Sequence, residues 1–238
     1  MSVPRAVVCL PTYNERENLE PMVRALADHD VGVLVIDDSS PDGTGEIADR
    51  LASELPWVEV LHRPRKEGLG RAYVDGFRHV LAQGAELVLE MDCDFSHDPA
   101  DVPRLIAAVE DGADLALGSR YVPGGGTANW GIVRRCISRG ASIYTRALLM
   151  PIRDSTGGFK CYRRRVLESI ELDSIDAAGY VFQIETTYRS LRKGFNVAEI
   201  PIRFTDRTAG QSKMSRAIVL EAVWKVPWLR LSALRGRL

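Results

Sequence analysis

No window of the 238-residue chain holds the roughly 20 apolar residues of a membrane-spanning helix, and only Arg5 precedes a short apolar stretch at the N-terminus, too little for a signal peptide. The chain is therefore expected not to cross a membrane alone. The formal net charge is -1, so composition gives no support to nucleic-acid binding. Cys9, Cys93, Cys136 and Cys161 show no C-x-x-C spacing and read as reduced thiols, in or near the core of a cytosolic protein. His62, His79 and His97 have no metal-ligand spacing with one another and read as structural or surface residues. Internal repeats and low-complexity segments are absent. Glycine-rich phosphate loops are missing as well: the first apolar run leads into Pro11-Thr12-Tyr13-Asn14-Glu15, where a dinucleotide-binding enzyme would carry G-x-G-x-x-G. That absence excludes a P-loop and weakens a sugar-nucleotidyltransferase reading. A diphosphate must then be held by a metal and by basic side chains.

With 45% hydrophobic and 26% charged residues, the chain can bury one large core, and a single compact domain is the default. Short apolar runs at 6–11, 31–37, 58–62, 87–91 and 114–118 alternate with helical patterns at about 17–27, 43–55, 70–83 and 99–111. This βαβα order predicts an α/β fold, a mainly parallel sheet with helices on both faces. Ligands of such sheets bind at the carboxyl ends of the strands, where strand order reverses. Polar clusters fall at those ends: Thr12 to Glu15, Asp37 to Asp42, Asp92 to Ser96, and Ser119-Arg120. Each alone could be ordinary turn chemistry.

Asp92-Cys93-Asp94 is the most specific of these clusters. Two acids at i and i+2 point to one side of an extended chain, and beyond the strand end they can share one divalent cation that neutralises a diphosphate. The plainer reading is that acids at strand ends cap the next helix, as Asp98 before Pro99 should.

Taken with Val35-Ile36-Asp37-Asp38-Ser39-Ser40-Pro41-Asp42-Gly43-Thr44, Gly68-Leu69-Gly70 and Gly118-Ser119-Arg120-Tyr121, these blocks resemble family 2 glycosyltransferases of the A-type fold. More narrowly, they look like polyprenol-phosphate (dolichol-phosphate) mannose synthases. Asp154-Ser155-Thr156-Gly157-Gly158-Phe159-Lys160, the Gly179 to Glu185 block, and Glu199-Ile200-Pro201-Ile202-Arg203-Phe204 through Arg207, Gly210, Ser212 and Lys213 extend the resemblance over nearly the whole chain. The resemblance implies a single Rossmann-like domain that uses GDP-mannose and Mg²⁺ or Mn²⁺. Pro11, Tyr13 and Glu15 would cradle the base, Asp37 would help hold the nucleoside, and Asp92 and Asp94 would meet the metal. Ser96 stands where the family often has Gln or Ser as a third metal contact. Arg120 would lie near the sugar and phosphates. Arg134, Arg207 and Lys213, with Ser138 assisting, would hold the acceptor phosphate or the leaving diphosphate. The block at Asp154 departs from the more usual Thr-Ser-Gly-Phe-Arg by carrying Gly157 and Lys160.

The acceptor is read from the second half. Between Asn129 and Arg153 there are five arginines and no acid, interleaved with large apolar residues, which predicts a basic amphipathic helix at about 130–152 suited to an anionic membrane surface. A helix that merely exposes its arginines is the alternative. From Lys213 to Leu238 six basic residues face one acid, with Trp224 and Trp228 among apolar residues at helical spacing; Pro227 should kink or end that helix. The expected division is a glycosyltransferase domain at 1–211 and a basic apolar tail at 212–238, peripheral on the cytoplasmic membrane's inner face. A membrane-anchoring partner protein is a further candidate. Gly124-Gly125-Gly126 reads as a hinge and, beside the acceptor region, as a candidate lid. Two alternatives stand beside this reading: the same lipid acceptor with UDP-glucose as donor, and a non-catalytic nucleotide-sugar-binding protein on the same fold.

Overall fold

The computed structural model describes residues 4–175, 179–206 and 216–235. Strands β1 (Ala6–Thr12), β2 (Gly32–Asp37), β3 (Val58–His62), β4 (Leu87–Glu90) and β5 (Leu115–Ser119) alternate with helices α1 (Leu19–Leu26), α2 (Thr44–Glu54), α3 (Leu69–Gln83) and α4 (Val102–Glu110). There follow β6 (Gly126–Ala128), α5 (Ile132–Leu148), β7 (Lys160–Arg163), α6 (Arg164–Ser169), α7 (Gly179–Arg192), β8 (Val197–Pro201), β9 (Arg203–Thr205) and α8 (Arg216–Leu234). The first-half strands and helices lie within three residues of their expected bounds, the largest difference being α4, whose first turn at Pro99–Asp101 is a 3-10 turn. Asp98 accepts a hydrogen bond from the Ala100 amide at 3.0 Å, with Pro99 following it.

Seven strands form one sheet in the order β3-β2-β1-β4-β7-β5-β8, parallel except for β7, which runs antiparallel between β4 and β5. Side chains alternate across it. Val8, Leu10, Val33, Val35 and Leu89 enter one core with α1, α2 and α4, whereas Cys9, Leu34, Ile36 and Val88 enter another with α3 and α7. Close approach is enforced at Gly76 of α3, where an added Cβ would lie 2.3 Å from Ile36 Cδ1. Strand order reverses at β1, which pairs with β2 on one side and β4 on the other.

The three-glycine run is stapled rather than hinged: the Gly125 amide donates to Val122 O at 2.9 Å, the Gly126 amide donates to Ile202 O at 3.0 Å, and residues 126–128 pair with β9. Cys9, Cys93 and Cys161 are buried, whereas Cys136 is exposed on α5; all four are free thiols. The basic helix is shorter than expected, ending at Leu148, and Leu149, Met150 and Ile152 then turn inward to a third core cluster.

Of the two expected outcomes, a kink or an end, the end does not occur: α8 runs through Pro227. Proline cannot donate to the carbonyl four residues back, which is Val223 O. The Tyr144 hydroxyl of α5 donates to that carbonyl instead, at 3.0 Å. One face of α8 buries Val226, Leu229 and Ala233 against Leu149, Met150, Ile184 and Tyr188. The other exposes Val223, Trp224, Trp228, Leu231 and Leu234. Tyr144→Phe, which removes the substitute donor, is expected to loosen α8 by about 0.5–1 kcal/mol. Faster amide exchange confined to α8 would report it; unchanged exchange would show that water satisfies Val223 equally well.

Candidate active site

A cavity of about 420 Å³ opens at the carboxyl ends of β1 and β4, where the strand order reverses. Backbone strain gathers around it. Asn14, Ser39, Phe95 and Asn129 all adopt positive φ without being glycine, and they sit in the loops after β1, β2, β4 and β6. Pro11, Tyr13, Glu15, Asp92, Asp94, Arg120 and Arg134 all line it. The cavity thus brings seven residues singled out from the sequence to one place.

The other expected residues lie differently. Asp37 does not line the cavity. It is buried under the loop after β2, where it accepts from Ser40 Oγ at 2.5 Å and from the Ser40 amide at 3.3 Å. Its neighbour Asp38 faces the cavity and is ion-paired with the buried Arg63, whose guanidinium also reaches Asp75 at 2.8 Å. Burial raises the Asp38 carboxyl above its usual range, against the pull of Arg63. Ser96 is buried behind the wall: its amide donates to Asp94 Oδ1 at 3.0 Å, and its hydroxyl has no hydrogen-bond partner among the described residues. Ser138 lies outside the cavity and accepts from the Tyr121 hydroxyl at 2.7 Å. Arg207 and Lys213 lie outside the described residues.

The two arginines are held in different ways. Arg120 is buried, with its Nε and Nη2 donating to the Asp154 carboxylate at 2.7 and 2.6 Å and Nη2 also donating to Thr156 Oγ1 at 2.8 Å. The rings of Tyr121, Trp130 and Phe204 surround its guanidinium at 5.4, 5.3 and 5.4 Å. Arg134, on the first turns of α5, stacks 4.2 Å from the Trp130 ring and pairs with Asp206 at 2.6 Å.

Several wall residues were missed by the sequence reading. Lys66 Nζ sits 3.7 Å from the centroid of the Tyr13 ring, beside Gly68 and the first turn of α3. His97, expected to be structural or surface, lines the cavity while buried. It stacks on Phe159 at 5.0 Å, and burial lowers its pKa to about 4, so the ring is neutral near pH 7. Its only sequence signal was adjacency to the acidic pair. Gln183 reaches the cavity from α7, its carbonyl held by Lys160 Nζ at 2.6 Å; Lys160 also donates to Thr186 Oγ1 at 3.0 Å. Burial lowers the Lys160 ammonium to about 8 and raises the carboxyl of Glu90, its cross-strand partner, above the usual range. Lys160 is therefore a buried clamp on Gln183. Gly157 packs against β5, where an added Cβ would lie 3.0 Å from Gly118 O.

Among the described residues no group of three His, Cys, Asp or Glu gathers as a metal cage. The pair Asp92 and Asp94 fits a cation of another kind. Mg²⁺ and its relatives are commonly held by one or two carboxylates, with substrate phosphates and water filling the other positions. The site therefore combines an acid pair and two arginines in the lining of one cavity of about 420 Å³.

A mainly parallel sheet that opens paired carboxylates into a cavity at its switch point defines a glycosyltransferase of the A-type fold. The chain belongs to glycosyl transferase family 2, which matches residues 7–171. It is 50% identical to the polyprenol monophosphomannose synthase of Mycolicibacterium smegmatis, over 98% of this chain and 89% of that one. It is 47% identical to the undecaprenyl-phosphate mannosyltransferase of Micrococcus luteus, over 98% of this chain and 99% of that one. Among solved structures, the fold resembles a mannosyltransferase from Pyrobaculum calidifontis in complex with GDP-mannose and Mn²⁺, with a TM-score of 0.61, 16% identity, and coverage of 98% of this chain and 74% of that one.

Proposed function

We propose that this protein transfers mannose from GDP-mannose to a polyprenyl monophosphate, with inversion at the anomeric carbon, and that it needs Mg²⁺ or Mn²⁺. The observation that carries the reading is that Asp92, Asp94, Arg120 and Arg134 line the same cavity. The two near-full-length relatives, named for mannosyl transfer to such lipids, support it.

Chemically, the acceptor needs no dedicated base. A phosphate monoester with a second pKa of about 6 is largely dianionic at neutral pH. Its oxygen attacks the anomeric carbon as the bond to the diphosphate breaks, and GDP leaves with the electron pair. An α-linked donor therefore gives a β-mannosyl phosphate. When bound, the cation would neutralise the diphosphate and stabilise the leaving nucleotide. Tyr13, Glu15 and Asp38 would bind the nucleoside, with Lys66 over the Tyr13 ring. Arg120 is fixed before substrate arrives, so it can offer charge at the reacting end with little reorganisation. Arg134 is joined in this assignment by Arg207, Lys213 and Ser138 for the acceptor phosphate. Asp37 and Ser96 would act from behind, holding the loops that carry Asp38 and Asp94.

The lipid acceptor places the enzyme at a membrane. No helix among the described residues is long and apolar enough to cross one. The exposed Ile132, Val133, Ile137 and Ile143 of α5 and Trp224 and Trp228 of α8 support a peripheral seat. That seat would be on the inner face of the cytoplasmic membrane, with residues 1–211 as the catalytic part and 212–238 as the contacting tail. Calorimetry with GDP and UDP in the presence of Mg²⁺ or Mn²⁺ tests the donor assignment: GDP should bind at least tenfold tighter, and a preference for UDP would overturn it.

A further inference from the structure

Beyond the active-site cavity lies a second one of about 510 Å³, walled by the 122–127 loop and by Arg135, Arg139 and Arg153. Arg120 lines both cavities, and Tyr121 lines the second. The Tyr121 hydroxyl is tied to Ser138, and Arg120 and Arg139 stack against its ring at 5.4 and 6.0 Å. The lining contains no acid. Whereas Arg134 pairs with Asp206 and Arg120 with Asp154, none of Arg135, Arg139 and Arg153 makes an ion pair with any described acid. Three guanidinium groups with no ion pair among the described residues, gathered around one concavity, attract an anion, and the planar fork of arginine suits phosphate oxygens. The loop keeps the space open. At Gly125 an added Cβ would press within 2.4 Å of Ser119 O, so the chain lies flat there, and at Gly126 an added Cβ would meet nothing within 4 Å. On the same helix, Ile132, Val133, Ile137 and Ile143 are exposed, so an anion bound in the groove would sit beside apolar surface.

We propose that this groove binds the phosphate of a bilayer phospholipid, at a site separate from that of the polyprenyl phosphate acceptor, and so orients the active-site mouth on the membrane. The inference rests on the membrane reading above. It goes further in distinguishing a phosphate seat from a diffuse basic face.

The test compares Arg135→Gln/Arg139→Gln with Arg146→Gln/Arg235→Gln, which removes the same charge outside the groove. Gly126→Asp is the third variant; it sets a carboxylate among the arginines from a position with open space. Sub-micellar dihexanoyl phosphatidylglycerol, inorganic phosphate and a short-chain polyprenyl phosphate are titrated into each full-length protein, and sedimentation with vesicles containing phosphatidylglycerol is measured alongside. GDP binding reports folding. The expected result is that both groove variants bind dihexanoyl phosphatidylglycerol at least tenfold more weakly than the wild type and the matched-charge control, sediment less than that control, and retain GDP and polyprenyl phosphate. Equal losses in the groove and control variants would overturn the proposal in favour of diffuse attraction. Parallel loss of polyprenyl phosphate would overturn it in favour of the acceptor's own site. Wild-type binding of inorganic phosphate as tight as that of the phospholipid would overturn it in favour of a free-phosphate site. Loss of mannosyl transfer to a short-chain acceptor in the wild type would count against the proposed function and leave the groove to be judged on these titrations.

Discussion

Asp94→Asn is expected to lower mannosyl transfer by roughly 10³-fold or more, and chelation of divalent cations should silence the wild type, with neither treatment unfolding the protein. The scale follows from losing several kcal/mol of charge stabilisation on the leaving diphosphate, at 1.36 kcal/mol per factor of ten, which is about 10³ or more. Folding should survive because asparagine keeps the carbonyl oxygen that accepts from the Ser96 amide at 3.0 Å, so the loop carrying the pair retains its bond. Initial rates with and without chelator, beside a thermal melt, check both halves. A chelated wild type at full rate would remove the metal from the account.

The second large effect concerns stability. Asp154 is fully buried and is the carboxylate partner that both nitrogens of the buried Arg120 fork engage. Asp154→Ala takes from the buried Arg120, set among Tyr121, Trp130 and Phe204, the carboxylate that both fork nitrogens engage. Breaking a buried pair from one side costs about 3–5 kcal/mol, far above the roughly 0–1 kcal/mol of an exposed pair. Asp154→Asn should cost less, since an amide oxygen can still accept from the fork. Urea unfolding measures the difference, and a loss below 1 kcal/mol for the alanine variant would show that water or a ring face compensates Arg120. Arg165, whose own side chain is largely exposed, pairs with Asp114 and offers the contrast: Arg165→Ala should cost little.

How much of this was legible in the sequence differs between the halves. In the first half the strands are short, mostly apolar runs separated by polar or turn-forming residues and helical patterns, so β1 to β5 and α1 to α4 could be read directly. β7 could not. Its four residues, Lys160 to Arg163, begin and end on cations, and the buried Lys160 is satisfied by Gln183 and Thr186 of α7, more than 20 residues on in sequence. That β7 slips antiparallel between β4 and β5 is a tertiary fact with no local signature. β6 and β9, three residues each, are equally silent. That α8 continues past Pro227 could not be read either, because the missing donor is replaced by Tyr144, about 80 residues away in sequence. In the site, the acids at strand ends were visible, but which of Asp37 and Asp38 faces the cavity depends on the left-handed Ser39 and the buried Arg63. His97 shows the same limit: a lone histidine is uninformative until Phe159 and Phe204 close around it at 5.0 and 5.1 Å.

The most direct measurement incubates the protein with a polyprenyl monophosphate, Mg²⁺ and, in parallel, radiolabelled GDP-mannose, UDP-glucose or UDP-GlcNAc, then extracts the lipid. Label should enter the organic phase from GDP-mannose alone, as an acid-labile β-mannosyl phosphate. Label arriving from UDP-glucose and not from GDP-mannose would contradict the assigned donor, and no label from any donor would contradict the lipid acceptor.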